Sequence, residues 1–186
     1  MPEVFLQLSP DEQASILQTS AGKLGTRAEH PEKDVWICWV LKTLFTMPGR
    51  LPMAFKGGTS LSKVFGAIRR FSEDVDVTVD YKSLDQSIDP FDAKTSRTAR
   101  ERFTELLRTK LADHTKNVIR PHFENLVAHL AEKPPKPITI SDDGEKLFIP
   151  YPSCFGSAEN VFLEFGGRNV IERGEEPRKD DCGWHV

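Results

Sequence analysis

Four long stretches of the chain place apolar residues at helical spacing. Ser9-Pro10-Asp11-Glu12 is typical of a capped helix start, and this helix is predicted to run to about Leu24, before Gly25. A second helix is predicted from near Pro31 to about Thr46. The other two are predicted over residues 96–113 and 116–131. Their predicted inward residues are Phe103, Leu106, Leu107 and Leu111, then Ile119, Phe123, Leu126, Val127 and Leu130.

Shorter apolar and alternating runs predict strands. Leu51 to Phe55 is an apolar run, and residues 74–80 alternate valine with polar residues, which is the two-residue period of a strand. Three more strands are predicted after a proline-rich connector over residues 133–137, at 138–141, 146–151 and 160–165. Helices, one motif strand, more helices and then several strands predict an α+β fold with a small mixed β-sheet flanked by helices.

A glycine pair stands between a predicted strand and a predicted helix. Gly57 and Gly58 precede residues 59–68, which carry apolar residues at helical spacing. Glycine lets a ligand approach main-chain N–H groups, and a helix start favours an anion. The hydroxyls of Thr59 and Ser60 can cap the helix or donate to a phosphate. The pair is therefore a candidate phosphate-binding turn. More commonly, such a glycine pair only forms the turn that joins a strand to a helix.

The alternating strand places carboxylates on one face. In residues 74–80 the valines point one way, while Asp74 and Asp76 point the other. Their separation of roughly 6 to 7 Å suits hard cations bridged to a triphosphate. A solvated strand face is the alternative. The neighbouring acids, Glu73, Asp74, Asp76 and Asp80, repel one another unless a cation or basic partner is near, which favours a metal site.

Glu164 interrupts a run in the last predicted strand, Val161 to Phe165, that is otherwise apolar on both faces. Burying a lone carboxylate is costly without a partner. The presence of Glu164 in this run is therefore better explained by a cation or an arginine that binds its carboxylate than by chance. The alternative is an edge strand in which Glu164 faces water or pairs with Arg168.

Three segments together carry a family resemblance. The run Lys56-Gly57-Gly58-Thr59-Ser60-Leu61-Ser62-Lys63, followed by Arg70-Phe71-Ser72-Glu73-Asp74-Val75-Asp76, resembles the AbiEii-type nucleotidyltransferases. These are the toxin half of bacterial toxin-antitoxin and phage-abortive systems, and they are similar to the polymerase-beta-like nucleotidyltransferase superfamily. Val161 to Arg168 resembles the Leu-Glu-Phe-Gly-x-Arg element of the same sequences.

The resemblance implies an enzyme that transfers a nucleoside monophosphate from a nucleoside triphosphate, with GTP and CTP as candidates, to a hydroxyl of RNA, such as tRNA, or of a protein. It implies Mg²⁺ or Mn²⁺ ligated by Asp74 and Asp76, with Glu164 as a third catalytic carboxylate. A cognate antitoxin is the implied protein partner. The implied nucleotide-binding residues are Lys56, Gly57, Gly58, Thr59, Ser60, Lys63 and Arg70.

The end of the chain departs from the family pattern. AbiEii-type sequences usually continue with a largely helical half, whereas here a short polar tail follows Arg168. We therefore expect residues 1–186 to form a single nucleotidyltransferase-like domain that lacks this C-terminal half. A catalytically inactive nucleotide-binding or protein-interaction fragment is the alternative to an active toxin.

Composition narrows the functional classes. The 186 residues, 38% hydrophobic and 28% charged, suit one globular domain. No apolar run approaches the roughly 20 residues of a membrane span and the N-terminus lacks signal-peptide features, so we expect no membrane and a cytoplasmic location. The three cysteines are far apart and the five histidines form no i, i+4 pair, so neither a disulfide framework nor a zinc site is indicated.

One segment differs in charge from the whole. The net charge of −3 argues against a protein coated in basic charge for nucleic acid. Residues 94–120, however, carry eight Lys or Arg against three acids. This segment is a candidate contact for an RNA backbone or an acidic partner protein, with an ordinary solvated helix face as the alternative.

Overall fold

The computed structural model of the chain describes residues 2–56, 74–130, 136–156 and 158–166, and for residues 2, 74, 130 and 158 it describes the backbone alone. Three helices precede the first strand: α1 (Pro2–Leu6), α2 (Pro10–Leu24) and α3 (Glu29–Thr46). Three more follow the second strand: α4 (Tyr81–Leu84), α5 (Arg97–His114) and α6 (Arg120–Leu130), with a π-helical turn, Thr115–Ile119, between the last two.

The strands form one five-stranded mixed sheet with the order β1-β2-β5-β4-β3. Strands β2 and β5 are parallel, and every other neighbouring pair is antiparallel. Strand β5 therefore lies at the centre, and the predicted α+β class with a small mixed sheet is confirmed. The strands are β1 (Met53–Lys56), β2 (Asp74–Val79), β3 (Thr139–Ile140), β4 (Lys146–Pro152) and β5 (Ala158–Gly166).

Helix α2 has the predicted caps at both ends. The backbone N–H of Glu12 donates to Ser9 Oγ at 3.4 Å, and that of Ser9 donates to Glu12 Oε2 at 2.9 Å, which is a reciprocal capping box. Gly25 follows the helix with φ 63°, a left-handed conformation that glycine adopts without strain. Local sequence thus sets both ends of this helix.

Helix α3 begins two residues before the predicted start and is buried on nearly all sides. Every residue from Val35 to Leu41 is buried. Helices α1 and α2 and strand β5 all pack against α3. A helix enclosed in this way has no polar stripe, so apolar periodicity locates it well but cannot orient it.

The third and fourth predicted helices are continuous rather than separate. The π-helical turn carries the chain from α5 into α6 without a break, and Thr115 Oγ1 donates to the Leu111 carbonyl at 2.9 Å. The predicted inward position of Leu106 is wrong, because its side chain is 39% exposed. The buried residues Phe103 and Leu107 define the inward face, and Leu106 lies about 100° around the helix from Leu107.

The main hydrophobic core lies between one face of the sheet and helices α3, α5 and α6. Trp36 stacks on Tyr151 with ring centroids 5.2 Å apart, and Trp39 meets Phe123 edge-on at 5.9 Å. Each buried aliphatic side chain contributes roughly 1.5 to 3 kcal/mol to folding. The strand residues of this face are Met53, Phe55, Val75, Val77, Val79, Leu147, Ile149, Tyr151, Val161, Leu163 and Phe165.

Several predicted features lie outside the described residues. They include the helix predicted over 59–68, most of the proline-rich connector, Arg168 and the polar tail. Within the ranges that the structure does describe, no helix combines the length and apolar character that crossing a bilayer requires.

Candidate active site

A row of four charged residues crosses four neighbouring strands. Lys56 on β1 is in register with Asp76 on β2, which is in register with Glu164 on β5. Glu164 is in turn in register with Lys146 on β4. Residues in register on neighbouring strands share a face, and the strands lie about 4.8 Å apart. The two carboxylates are therefore neighbours with a lysine on either side, and we call these four residues the charged row.

Strand alternation places this row on the face opposite the core. Val75 and Val77 are fully buried, while Asp76 between them is partly exposed. The prediction that the valines of this strand share one face is confirmed, and that face is the one in the core. The backbone of Asp74 is in register with Phe162, one row away from Asp76. The structure describes no side chain for Asp74.

Glu164 is the central carboxylate of the sheet. The edge-strand alternative is wrong, because β5 is the middle strand. Leu163 and Phe165 enter the core, but the Glu164 side chain is 46% exposed, so Glu164 is not the lone buried carboxylate that the surrounding apolar run suggested. Its carboxylate Oε2 lies 3.0 Å from Lys146 Nζ, and Lys146 is its one ion-pair partner among the described residues.

Sequence reasoning missed Lys146, although a signal for it exists. Strands β4 and β5 form a hairpin in which Pro152 pairs with Ala158. Counting six residues back from Pro152 and six forward from Ala158 pairs Lys146 with Glu164. The register was not predictable without the length of the turn, which decides which residues face each other.

The charged row balances its own charge. Like charges directly opposite one another destabilise a sheet, so Asp76 beside Glu164 is unfavourable in isolation. Lys56 and Lys146 lie at the two ends and provide two positive charges against two negative ones. Any cation that binds between the carboxylates therefore enters a site that already contains positive charge.

The donor atoms of the row suit a hard divalent cation. Asp76 and Glu164 offer carboxylate oxygens, which Mg²⁺ and Mn²⁺ prefer. In the part of the chain that the structure describes, no group of three or more His, Cys, Asp or Glu is arranged to hold a metal. The described side chains therefore provide two carboxylates in register. The other predicted ligand, Asp74, lies on the same strand two residues before Asp76.

Lys56 is the one predicted nucleotide-binding residue that the structure describes. It ends β1, stands beside Asp76 in the charged row and directly precedes the Gly57-Gly58 pair in the sequence. The phosphate contacts predicted for the remaining residues stay predictions. Outside the described residues lie Gly57, Gly58, Thr59, Ser60, Lys63 and Arg70.

Two other rows border the charged row. On the side of Asp74, Phe148 and Phe162 are in register and meet edge-to-face at 5.3 Å, and Lys33 Nζ lies 5.6 Å from the centre of the Phe162 ring. On the other side, Ala54 and Thr78 are in register and buried. The charged row thus lies between an aromatic rim and a closely packed row of small residues.

Asp80 does not belong to the charged row. Strand β2 ends at Val79, and Asp80 is the N-cap of α4, where its Oδ1 accepts from the backbone N–H of Lys82 at 3.0 Å. The predicted continuation of the alternating strand through Asp80 is therefore wrong. The N-cap role explains this carboxylate without a metal.

A buried carboxylate holds the hairpin that carries Glu164 and Lys146. Glu32, in the first turn of α3, is only 1% exposed. It accepts from Ser153 Oγ at 2.7 Å and from the backbone N–H of Cys154 at 2.6 Å. Burial and the Glu32 charge raise the pKa of Cys154 to about 11 and also raise the pKa of Tyr151. Glu32 thereby joins α3 to the turn between β4 and β5, a contact that sequence reasoning did not find.

Ion pairs with acidic side chains neutralise four of the eight basic residues counted in residues 94–120. Three of those acids lie outside the segment. Lys110 and Ser87 hold the pKa of Asp85 well below its usual range. The exposed basic surface is therefore smaller than the sequence suggested. The pairs are Arg97–Glu101, Arg108–Glu145, Lys110–Asp85 and Arg120–Glu124.

Comparison with known proteins bears on this site. A family model described as "Nucleotidyl transferase AbiEii toxin, Type IV TA system" matches residues 39–181. The matched range is most of the chain and contains every strand of the sheet and all four residues of the charged row. No curated protein and no solved structure matches the chain.

Proposed function

Because the chain belongs to the AbiEii family of nucleotidyltransferase toxins of type IV toxin-antitoxin systems, we propose that it transfers a nucleoside monophosphate from a nucleoside triphosphate to a hydroxyl acceptor. One structural observation carries this proposal. Asp76 and Glu164 lie in register on neighbouring parallel strands, on the sheet face away from the core. The family also suggests a cognate antitoxin as partner.

The reaction that we propose is an in-line displacement at the α-phosphate. The oxygen of the acceptor hydroxyl forms a bond to the α-phosphorus, the bond to the bridging oxygen breaks, and pyrophosphate leaves. Glu164 accepts the hydroxyl proton or completes the ligands of a metal ion. Asp74 and Asp76 are the other proposed ligands. When bound, Mg²⁺ or Mn²⁺ lowers the pKa of the attacking hydroxyl and neutralises charge on the leaving group.

We assign the triphosphate to the segment that follows β1. Gly57 and Gly58 offer main-chain N–H groups, and the start of the predicted helix at Thr59 favours an anion. Lys56, at the end of β1, is next to the proposed metal ligand Asp76. Ser60, Lys63 and Arg70 complete the proposed contacts.

For the acceptor, we propose an RNA hydroxyl, such as that of a tRNA, with a protein hydroxyl as the second candidate. The basic segment gives limited support to an RNA, because half of its basic residues are paired. Arg102 and Lys116 are exposed, and no ion pair joins either of them to another described residue, so they are the residues to neutralise first. Loss of acceptor capture in a variant with both residues neutralised would support an RNA contact along α5 and the π-helical turn.

The decisive experiment compares two aspartates near the same strand. The chain is incubated with each of the four labelled nucleoside triphosphates, Mg²⁺ or Mn²⁺, and a cell extract that supplies acceptors. We expect transfer that Asp76→Asn lowers by at least about 100-fold, the scale of a lost charge-stabilising group. Asp80→Asn is the matched control, because asparagine also caps helices well and transfer should persist.

Two outcomes would contradict the proposal. Absence of transfer with every triphosphate and both metals would remove the enzymatic function, and triphosphate binding without transfer would favour the inactive nucleotide-binding module instead. Equal transfer by Asp76→Asn and the unmodified chain would remove the charged row as the active site.

A further inference from the structure

Lys146 is the member of the charged row that no motif predicts. Its Nζ lies 3.0 Å from Glu164 Oε2, and each of the two side chains is 46% exposed. Glu164 has Lys146 on one flank and Asp76 on the other. The lysine therefore binds the same carboxylate that a metal ion shared with Asp76 would use.

The backbone places Lys146 at this position. Its N–H donates to Ser141 Oγ at 2.9 Å, and its carbonyl accepts from the Ser141 N–H at 2.9 Å. The N–H of Phe165 donates to the carbonyl of the preceding residue, Glu145, at 2.8 Å. Gly144 lies against α5 so closely that a Cβ there would stand 2.3 Å from the Ala112 Cβ. The start of β4 is thus held from three sides.

Folding stability does not account for this ion pair. A half-exposed pair of this kind contributes little to folding. By contrast, a divalent cation between Asp76 and Glu164 would lie within about one strand spacing of the ammonium group. That separation is shorter than the screening length of roughly 8 Å at physiological ionic strength, so the two positive charges repel each other.

We propose that Lys146 is the resident counter-ion of the third carboxylate. It holds Glu164 while no metal is bound, competes with the divalent cation for that carboxylate, and so sets the metal concentration at which the site fills. The inference rests on the proposed function, because it takes a metal at Asp76 and Glu164 as its premise. Lys56 differs from Lys146 because it precedes the predicted phosphate-binding turn, where a triphosphate would neutralise it.

Metal affinity without nucleotide is the measurement that tests this role. Mn²⁺ binding to the full chain is followed by electron paramagnetic resonance of the free ion and by calorimetry. Lys146→Met keeps the aliphatic stem and removes the charge, and we expect the Kd for Mn²⁺ to fall about 5- to 10-fold because the repulsion is gone. Lys146→Arg keeps the charge and should bind Mn²⁺ like the unmodified chain.

Further variants show whether Lys146 acts through Glu164. Glu164→Gln removes a ligand, so the Kd should rise by about tenfold or more, and adding Lys146→Met to it should change the Kd by less than about threefold. Lys23→Met is the matched control, because Lys23 is an exposed lysine on α2 with no proposed role in binding, and its Kd should not change. Thermal unfolding without metal confirms that each variant is folded.

Each outcome separates this inference from the proposed function. Unchanged or weaker Mn²⁺ binding by Lys146→Met overturns the inference and leaves a structural ion pair, while the nucleotidyltransferase proposal stands. Tighter binding by Lys146→Met together with no nucleotide transfer supports the inference and removes the enzymatic proposal. If Asp76→Asn and Glu164→Gln both bind Mn²⁺ like the unmodified chain, the charged row holds no metal in the absence of nucleotide and the inference falls, while the transfer assay still decides the nucleotidyltransferase proposal.

Discussion

The two faces of the sheet are built from the same strands but differ in what their residues do. Toward the helices, Val77 and Leu163 are fully buried in the core. On the opposite face, Asp76 and Glu164 alternate with them along the same strands and are only partly covered. Folding free energy therefore comes mostly from one face, and charge chemistry is available on the other.

This separation means that charged-row residues should be replaceable at little cost in stability. Burial of apolar area dominates folding, whereas partly exposed ion pairs contribute about 0 to 1 kcal/mol. A variant of the core face should lose structure before function, and a variant of the charged row the reverse. The following substitutions test the contrast, starting with the largest expected effect on the free energy of unfolding.

Leu163→Ala should lower the free energy of unfolding by about 3 to 4 kcal/mol, because it leaves a cavity at the centre of the sheet. Glu164→Gln, one residue along the same strand, is the matched control and should cost less than about 1 kcal/mol. Urea unfolding followed by circular dichroism measures both. Similar losses in the two variants would show that the faces are not energetically distinct.

Glu32→Ala should lower the free energy of unfolding by about 2 to 3 kcal/mol, because it removes a buried carboxylate that accepts from the partly buried Ser153 hydroxyl and Cys154 N–H. Glu29→Gln in the same helical turn is the control and should stay within about 0.5 kcal/mol. Calorimetric melting is the measurement. A small loss in Glu32→Ala would mean that the turn between β4 and β5 is held mainly by other contacts.

Gly144→Ala should destabilise the protein by about 1 to 3 kcal/mol, because the position combines φ 73° with a Cβ contact to Ala112 at 2.3 Å. Gly156→Ala isolates the backbone term, since φ is 78° there and nothing lies within 4 Å of an added Cβ. Chemical unfolding of both variants and of the pair Gly144→Ala with Ala112→Gly separates strain from clash. Equal losses at positions 144 and 156 would show that the contact with α5 is unimportant.

Lys146→Met should change the free energy of unfolding by less than about 1 kcal/mol without metal, because the ion pair that it removes is half exposed. Its larger effect should be on Mn²⁺ affinity, as described above. Thermal melting with and without Mn²⁺ gives both values in one experiment. A large loss of stability without metal would show that the ion pair stabilises the fold. The charged face would then contribute to folding free energy as the core face does.

Local patterns predicted the parts of the fold that local physics decides. The caps of α2 and the alternation of β2 were correct, because Ser9, Glu12 and the valines act through neighbours within a few residues. The inward position of Leu106 and the continuation of β2 into Asp80 were wrong. Helix rotation and the exact end of a strand depend on what packs against them, which periodicity does not contain.

The same division holds at the candidate site. Asp76 and Glu164 were chosen from their own segments, and their role as ligands stays a proposal. Their shared row follows from the parallel pairing of β2 and β5, whose partners are separated by more than 80 residues of chain. Lys146 and Glu32 were missed because each matters only through a partner on another element.

By itself, the sequence determined the family, the order of the long helices and the strands, and which residues of β2 share a face. These follow from motif spacing, caps and two-residue alternation, all of which act over short stretches. Only the tertiary structure decided that β5 is central, that Asp76 is in register with Glu164, and that Lys146 pairs with that carboxylate. Strand order and register depend on long-range packing, and a shift of one residue would have moved the charged row into the core.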